Sequence, residues 1–193
     1  MIKCYIAGRI EQSRKRFGLV DCDLSSSERD SYSTIINERP FTYKGDELIY
    51  MGPFTLSCDH GCSHRGRYER DIFGTCNHGS GVPLCEGGIS DGVDNDDMKD
   101  LVFYRSFIGI EMCDFMFVWI KDLECFGSLT EIGFAFGIDK PIYIGIPEKF
   151  KENEIWFALK CANGIVYNDD VYSAFGIALE QYKNHIKLNP KSI

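Results

Sequence analysis

The sequence predicts an α/β fold in which a parallel sheet is sandwiched by helices, with one long irregular insertion. Three observations carry this. The second half of the chain alternates short apolar runs, "FMFVWI", "PIYIGI" and "GIVY", with longer segments of helical period. Strands that are apolar on both faces and separated by helices belong to parallel sheets covered on both sides. The chain also opens on such a run, "IKCYIA" at residues 2–7, which stops at Gly8. Residues 58–98, finally, are rich in Gly, Asp, His and Cys and almost without periodicity, too long for an ordinary connection. The expectation is a single domain over 1–193 with a Gly/Cys/His-rich insertion at about 58–98.

The elements follow in order. Residues 2–7 read as a buried strand ending at a glycine turn, and residues 9–40 as polar and poorly periodic, with "LSSSERDS" a loop. "PFTYKGDELIYMGPFTLSC" reads as two short strands around Lys44-Gly45-Asp46. "MKDLVFYRSFIGIEMCD" predicts a helix with Leu101, Tyr104, Ile108 and Met112 on one face. "FMFVWI" is a strand, and "SLTEIGFAFGI" a helix with Ser128 as N-cap and Glu131 three residues on, the spacing of a capping box. "PIYIGI" is a strand, "EKFKENEIWFALK" a helix, "GIVY" a strand and "DVYSAFGIALEQYKNHI" a final helix, and residues 187–193 read as a frayed tail.

Bulk properties narrow the function. A formal net charge of -8 argues against a general nucleic-acid binder, whose affinity rests on basic side chains. No apolar run approaches the length of a membrane span, and "MIKCYIAG" lacks the apolar core of a secretion signal, so a cytoplasmic location is expected. The nine cysteines are an odd number, and Cys4, Cys113 and Cys161 fall inside apparent strands and helices. They read mostly as reduced, buried thiols.

Ligands of parallel sheets bind beyond the carboxyl ends of the strands, here Gly8, residues 121–127 and residues 145–147. Glu131 follows the second of these. As part of a capping box it would only serve the helix. Grouped with Asp122 and Glu124 it would equip a pocket for glycosidic bond chemistry, one carboxylate attacking the anomeric carbon and another moving a proton. Repulsion and burial can separate the pKa values of such a group. Asp114 opens a strand, either as a positioning acid or as a turn residue. Ser128 is a cap or a ligand contact, and Gly8 and Gly127 allow either close approach of a ligand or ordinary turns. Phe54, Phe126 and Trp119 offer rings for a nucleobase or for the core.

In the insertion, Cys58, His60, Cys62 and His64 stand at alternate positions, followed by Cys76, His78 and Cys85. These are zinc ligands by type, although the spacing is not that of a zinc knuckle. A loop that folds over a substrate, with His60 or His64 as donor, is the other functional reading, and a loop with incidental thiols the plain one. Arg65, Arg67 and Arg70 are suited to grip a phosphate.

Three segments, in order along the chain, resemble the nucleoside 2-deoxyribosyltransferase family in the broad sense that includes nucleotide N-glycoside hydrolases. They are "YIAGRI" (5–10), "YMGPFTLSCDHGCSH" (50–64) and "CDFMFVWIKDLECFGSLTEIGFAFGIDKPIYIGI" (113–146). The resemblance implies a flavodoxin-like or Rossmann-like sandwich assembled as a homodimer or larger homo-oligomer. It implies Glu131, of the Glu-Ile-Gly motif, as a nucleophile that attacks C1′ and expels the base, and water or a second base as acceptor. Asp122 or Glu124 would transfer the proton and Asp114 would position. Gly8, Gly52, Phe54, His60, Trp119, Gly127 and Ser128 would line the substrate. The implied partner is a small nucleoside or nucleotide, not a nucleic acid or membrane, and the chemistry requires no cofactor or metal. The sequence departs from the pattern at Lys121 and Glu124, where aspartate is frequent. An N-glycosidase of NAD or ADP-ribose compounds, and a nucleotide-binding module without turnover, are the alternative expectations.

Overall fold

The computed structural model describes residues 1–8, 15–24, 38–56, 95–121, 125–150 and 155–188. Its ten strands and four helices are β1 (Ile2–Gly8), β2 (Lys15–Arg16), β3 (Val20–Asp21), β4 (Asp23–Leu24), β5 (Arg39–Tyr43), β6 (Asp46–Tyr50), β7 (Thr55–Leu56), α1 (Asn95–Met112), β8 (Phe115–Trp119), α2 (Phe126–Gly137), β9 (Ile142–Ile146), α3 (Trp156–Leu159), β10 (Gly164–Tyr167) and α4 (Val171–Leu188). Six strands form one sheet in the order β10-β9-β8-β1-β6-β5. All neighbours are parallel except β5, which returns antiparallel on β6. This is the α/β sandwich the alternating pattern predicts.

Side-chain alternation assigns each face. In β8 every residue is buried. Phe115, Phe117 and Trp119 join Phe175 and Leu179 of α4 on one face, while Met116, Val118 and Ile120 join Ile110 of α1 and Ile132 and Ala135 of α2 on the other. A strand buried on both sides needs apolar residues at every position, which is what "FMFVWI" supplies. The β5–β6 hairpin closes through Lys44 (φ 47°) and Gly45 (φ 93°), the two left-handed positions of a tight hairpin turn. Among the described residues no helix is long and apolar enough to cross a membrane.

Four expectations need correction. The helix preceding β8 begins at Asn95, so the last four residues of the expected insertion are helical. Its expected face is also wrong: Tyr104 is 63% exposed and Met112 37%, while Ile110 and Cys113 are buried. Polar and apolar residues are mixed around its circumference without forming one apolar stripe, so periodicity could not choose a face. Gly109 chooses it, because a Cβ there would overlap the Met51 carbonyl oxygen and press on the Tyr5 ring. Third, α2 begins at Phe126 with Cys125 as N-cap and no side-chain cap bond. The capping box therefore does not form, since Ser128 and Glu131 lie too deep in the helix to reach the N-cap. Fourth, the expected helix at 148–160 is a single 3-10 turn, Glu148–Phe150, and the four-residue α3, with residues 151–154 outside the described set. The sequence reading also missed β2, β3 and β4, in the stretch taken as irregular.

Candidate active site

Tyr5, in the middle of β1, is fully buried on the α1–α2 side of the sheet. Two glycines hold its ring. A Cβ on Gly52 would lie 3.2 Å from Cε2 of Tyr5, and one on Gly109 would lie 3.2 Å from Cδ2. Gly52 has φ 127°, in the left-handed region that favours glycine, and its carbonyl accepts the Ile6 N–H at 2.9 Å. So held, the Tyr5 hydroxyl donates to Oε1 of Glu131 at 2.5 Å. The Ser106 side chain hydrogen-bonds the same hydroxyl.

Glu131 sits in the second turn of α2 and is half-buried. Burial raises its carboxyl pKa, while the Tyr5 hydrogen bond and the Arg16 charge pull it back down. Burial and the neighbouring carboxylate push Tyr5 well above its ordinary value, so it remains a proton donor toward Glu131.

Arg16 is the site residue that sequence reasoning missed. It is 4% exposed, donating from Nε to the Ile6 carbonyl at 3.0 Å and from Nη2 to the Gly8 carbonyl at 2.6 Å. It thus occupies the carboxyl end of β1, with its guanidinium 4.7 Å from the centre of the Phe17 ring. It belongs to a two-residue strand in a polar stretch, where no periodicity marks it.

Other expected site residues have structural duties. Gly8 (φ 138°) is required by the chain itself: a Cβ would lie 2.6 Å from the Trp119 carbonyl oxygen and 2.8 Å from Cζ of Phe17. Trp119 is 4% exposed and packs over Gly145 on the α4 side, the face opposite Glu131, so it is core and not a stacking platform. Phe54 is buried edge-on to Tyr50, with ring centroids 5.0 Å apart, and the Arg39 guanidinium lies over it at 5.5 Å. Ser128 is buried in the first turn of α2. Asp114 lies at the amino end of β8, where its Oδ2 accepts the Lys3 N–H at 2.7 Å and its own N–H donates to the Lys3 carbonyl at 2.8 Å. That is the full length of a strand, roughly 15 Å, from the carboxyl ends, so it fixes the start of β8 instead of positioning a substrate. Lys140, the lysine of the Lys-Pro pair, donates to the carbonyls of Glu111 (2.9 Å) and Cys113 (2.6 Å) and so closes the carboxyl end of α1.

Two expected contacts retain open surroundings. Phe126 is 77% exposed, and a Cβ on Gly127 would meet nothing within 4 Å. Asp122, Glu124, Cys58, His60, Cys62 and His64 lie outside the described residues, as do Arg65, Arg67 and Arg70. Among the described residues no group of three or more His, Cys, Asp or Glu could hold a metal ion. Cys4 and Cys113 are buried and unoxidised, and burial raises both thiols, Cys113 to about 12, so neither is a nucleophile at neutral pH.

The arrangement offers one carboxylate with no capping duty, below the carboxyl end of β1, oriented by a tyrosine and electrostatically supported by an arginine. No protein-family model matches the chain, and no curated protein shows significant similarity to it.

Proposed function

We propose that this protein cleaves or transfers the N-glycosidic bond of a nucleoside or nucleotide, with Glu131 as the nucleophile. One observation carries the reading. The three segments that resemble nucleoside 2-deoxyribosyltransferases are far apart in sequence, yet each sends a residue to one spot: Tyr5 from the first, Gly52 from the second and Glu131 from the third. A raised, half-buried carboxylate that neither caps its helix nor fills the core fits a functional group better than a structural one.

In this reading Tyr5 holds Oε1 and fixes the carboxylate rotamer. A Glu131 oxygen attacks C1′ as the bond to the base breaks, giving a glycosyl ester and the free base. Attack on C1′ by water or a second base then releases Glu131 as a carboxylate. Asp122 and Glu124 are the sequence candidates for protonating the leaving base. Arg16 and Tyr5 keep Glu131 ionisable despite its burial.

The test is chromatographic detection of free base after incubation with nucleosides, deoxynucleosides, their 5′-monophosphates and NAD. Release from one of these, abolished in Glu131→Ala and Glu131→Gln, is expected, and adding a second base separates transfer from hydrolysis. Undiminished release in both variants would remove Glu131 from the mechanism. A folded protein that binds a nucleotide and releases base from none of them would be a binding module instead.

A further inference from the structure

β1 is paired unequally along its two edges. Toward β8 it stays paired to its last residue, with Gly8 opposite Trp119. Toward β6 the pairing ends with Cys4 opposite Tyr50. The last bonds there are Met51 N–H to the Cys4 carbonyl and Ile6 N–H to the Gly52 carbonyl, both 2.9 Å. Backbone groups alternate sides along a strand, so the carbonyls of Ile6 and Gly8 face the gap where β6 has turned away. Those are the two carbonyls to which Arg16 donates, from Nε at 3.0 Å and from Nη2 at 2.6 Å. A side chain thus completes the sheet at the carboxyl end of β1, the end at which parallel sheets bind ligands.

The chain reaches that gap through an unfavourable turn. Residues 17–19 join β2 to β3, with the Leu19 N–H donating to the Arg16 carbonyl at 2.9 Å. Phe17 (φ 52°) and Gly18 (φ 74°) are both left-handed. Asn-Gly or Gly-Gly ordinarily fills such a pair. A bulky side chain is rare at positive φ, because its Cβ crowds the backbone. Phe17 is nevertheless buried, with its ring against Gly8, where an added Cβ would lie 2.8 Å from Cζ. The Arg16 guanidinium lies 4.7 Å from the centre of the same ring. The ring therefore meets both the end of β1 and the cation that caps it. Glycine or asparagine would satisfy the turn and supply neither contact. Strain of this kind persists where the surroundings enforce it, and it concentrates at functional sites.

We propose that Phe17 is a positioning residue of the reaction: from its strained turn, its ring fixes the Arg16 guanidinium across the parting of β1 and β6, with the charge in reach of Glu131. The role rests on the reading of Glu131 as nucleophile. Among the described residues, the titratable or charged groups that act on Glu131 are Tyr5 of β1 and Arg16 of β2. Tyr5 holds one oxygen of the carboxylate, and Arg16 supplies the positive charge that favours its ionised form. A guanidinium free to swing into water would lose much of that effect, since solvent screens an exposed charge. The Phe17 ring and the two β1 carbonyls hold it in place.

Direct titration of Glu131 tests this without a substrate. Glutamate carrying carbon-13 at the side-chain carboxyl is incorporated, and the Glu131 resonance is the one missing from the NMR spectrum of Glu131→Gln. Arg16→Gln should move its titration midpoint to higher pH. Phe17→Ala should move it the same way, and should add nothing in the Arg16→Gln background. Phe17→Leu, which keeps apolar bulk in the core, should act alike if the alanine variant does not fold. Base release per folded molecule at neutral pH should fall about 10-fold or more in each single variant. A residue serving only the core would lower the melting temperature and leave the midpoint unmoved. That result for folded Phe17→Ala or Phe17→Leu, or an unmoved midpoint in Arg16→Gln, would overturn the proposal. Moved midpoints in a protein that releases base from no substrate would uphold the coupling of Phe17, Arg16 and Glu131 and refute the glycosidic reading instead.

Discussion

Tyr5→Phe tests the geometry around Glu131 with the smallest possible change. The ring keeps its seat between Gly52 and Gly109, and only the hydroxyl, 2.5 Å from Oε1 of Glu131, is lost. A hydrogen bond to an ionised group contributes about 1.5–3 kcal/mol. At 2–4 °C per kcal/mol for a chain of this size, the melting temperature should fall by about 3–12 °C at neutral pH. Because the Tyr5 bond lowers the Glu131 pKa, its removal should also raise the pH at which activity is lost on the acid side. Base release should fall by about 10- to 100-fold if Tyr5 sets the attack geometry. The control is the same substitution in Glu131→Ala, where the hydroxyl has lost its acceptor and its removal should be neutral or stabilising. Equal destabilisation in both backgrounds would refute the Tyr5–Glu131 coupling.

Other expectations follow from the same contacts. Glu131 has a folded-state pKa above its unfolded value of 4.5, so its contribution to stability is full below that value and is lost as pH rises through the folded pKa. Glu131→Gln, which keeps an acceptor for Tyr5 without the charge, should therefore be more stable than wild type at neutral pH and inactive; denaturant titrations at neutral and acid pH should show the advantage shrinking on acidification. The acid limb of the wild-type pH–rate profile should lie above pH 4.5, and a limb at or below it would contradict the burial of the carboxylate. Gly109→Ala forces a methyl against the Met51 carbonyl and the Tyr5 ring and should cost about 1–3 kcal/mol in urea unfolding, with loss of activity beyond the loss of folded protein. Lys140→Met removes the ammonium that closes α1 and should cost about 1 kcal/mol while leaving base release per folded molecule unchanged.

The sheet was readable because its physics is local. Strands such as "FMFVWI" must be apolar at every position when both faces are covered, and that shows in one segment at a time. The face of α1 was not readable, because polar and apolar residues are mixed around the helix and the deciding contact, Gly109 against Met51, joins residues 58 positions apart. The capping box in "SLTE" failed for a related reason. Its spacing was right, but the helix had already started at Phe126. That failure matters for function, since it frees Glu131 from the structural duty its sequence context suggested. Trp119 and Phe54 were candidates because aromatic residues serve cores and ligands alike, and only their burial separates the two uses. Arg16 could not be found at all: its partners are backbone carbonyls of β1, which leave no trace in side-chain pattern.

The most direct measurement is a rapid acid quench during turnover of the substrate found in the base-release screen, followed by peptide mass spectrometry. Glycosyl transfer through Glu131 should leave the sugar as an ester on the peptide containing that residue, present in wild type and absent in Glu131→Gln. Sustained base release by wild type with no adduct on that peptide, and with Glu131→Gln equally active, would contradict the assignment of Glu131 as nucleophile.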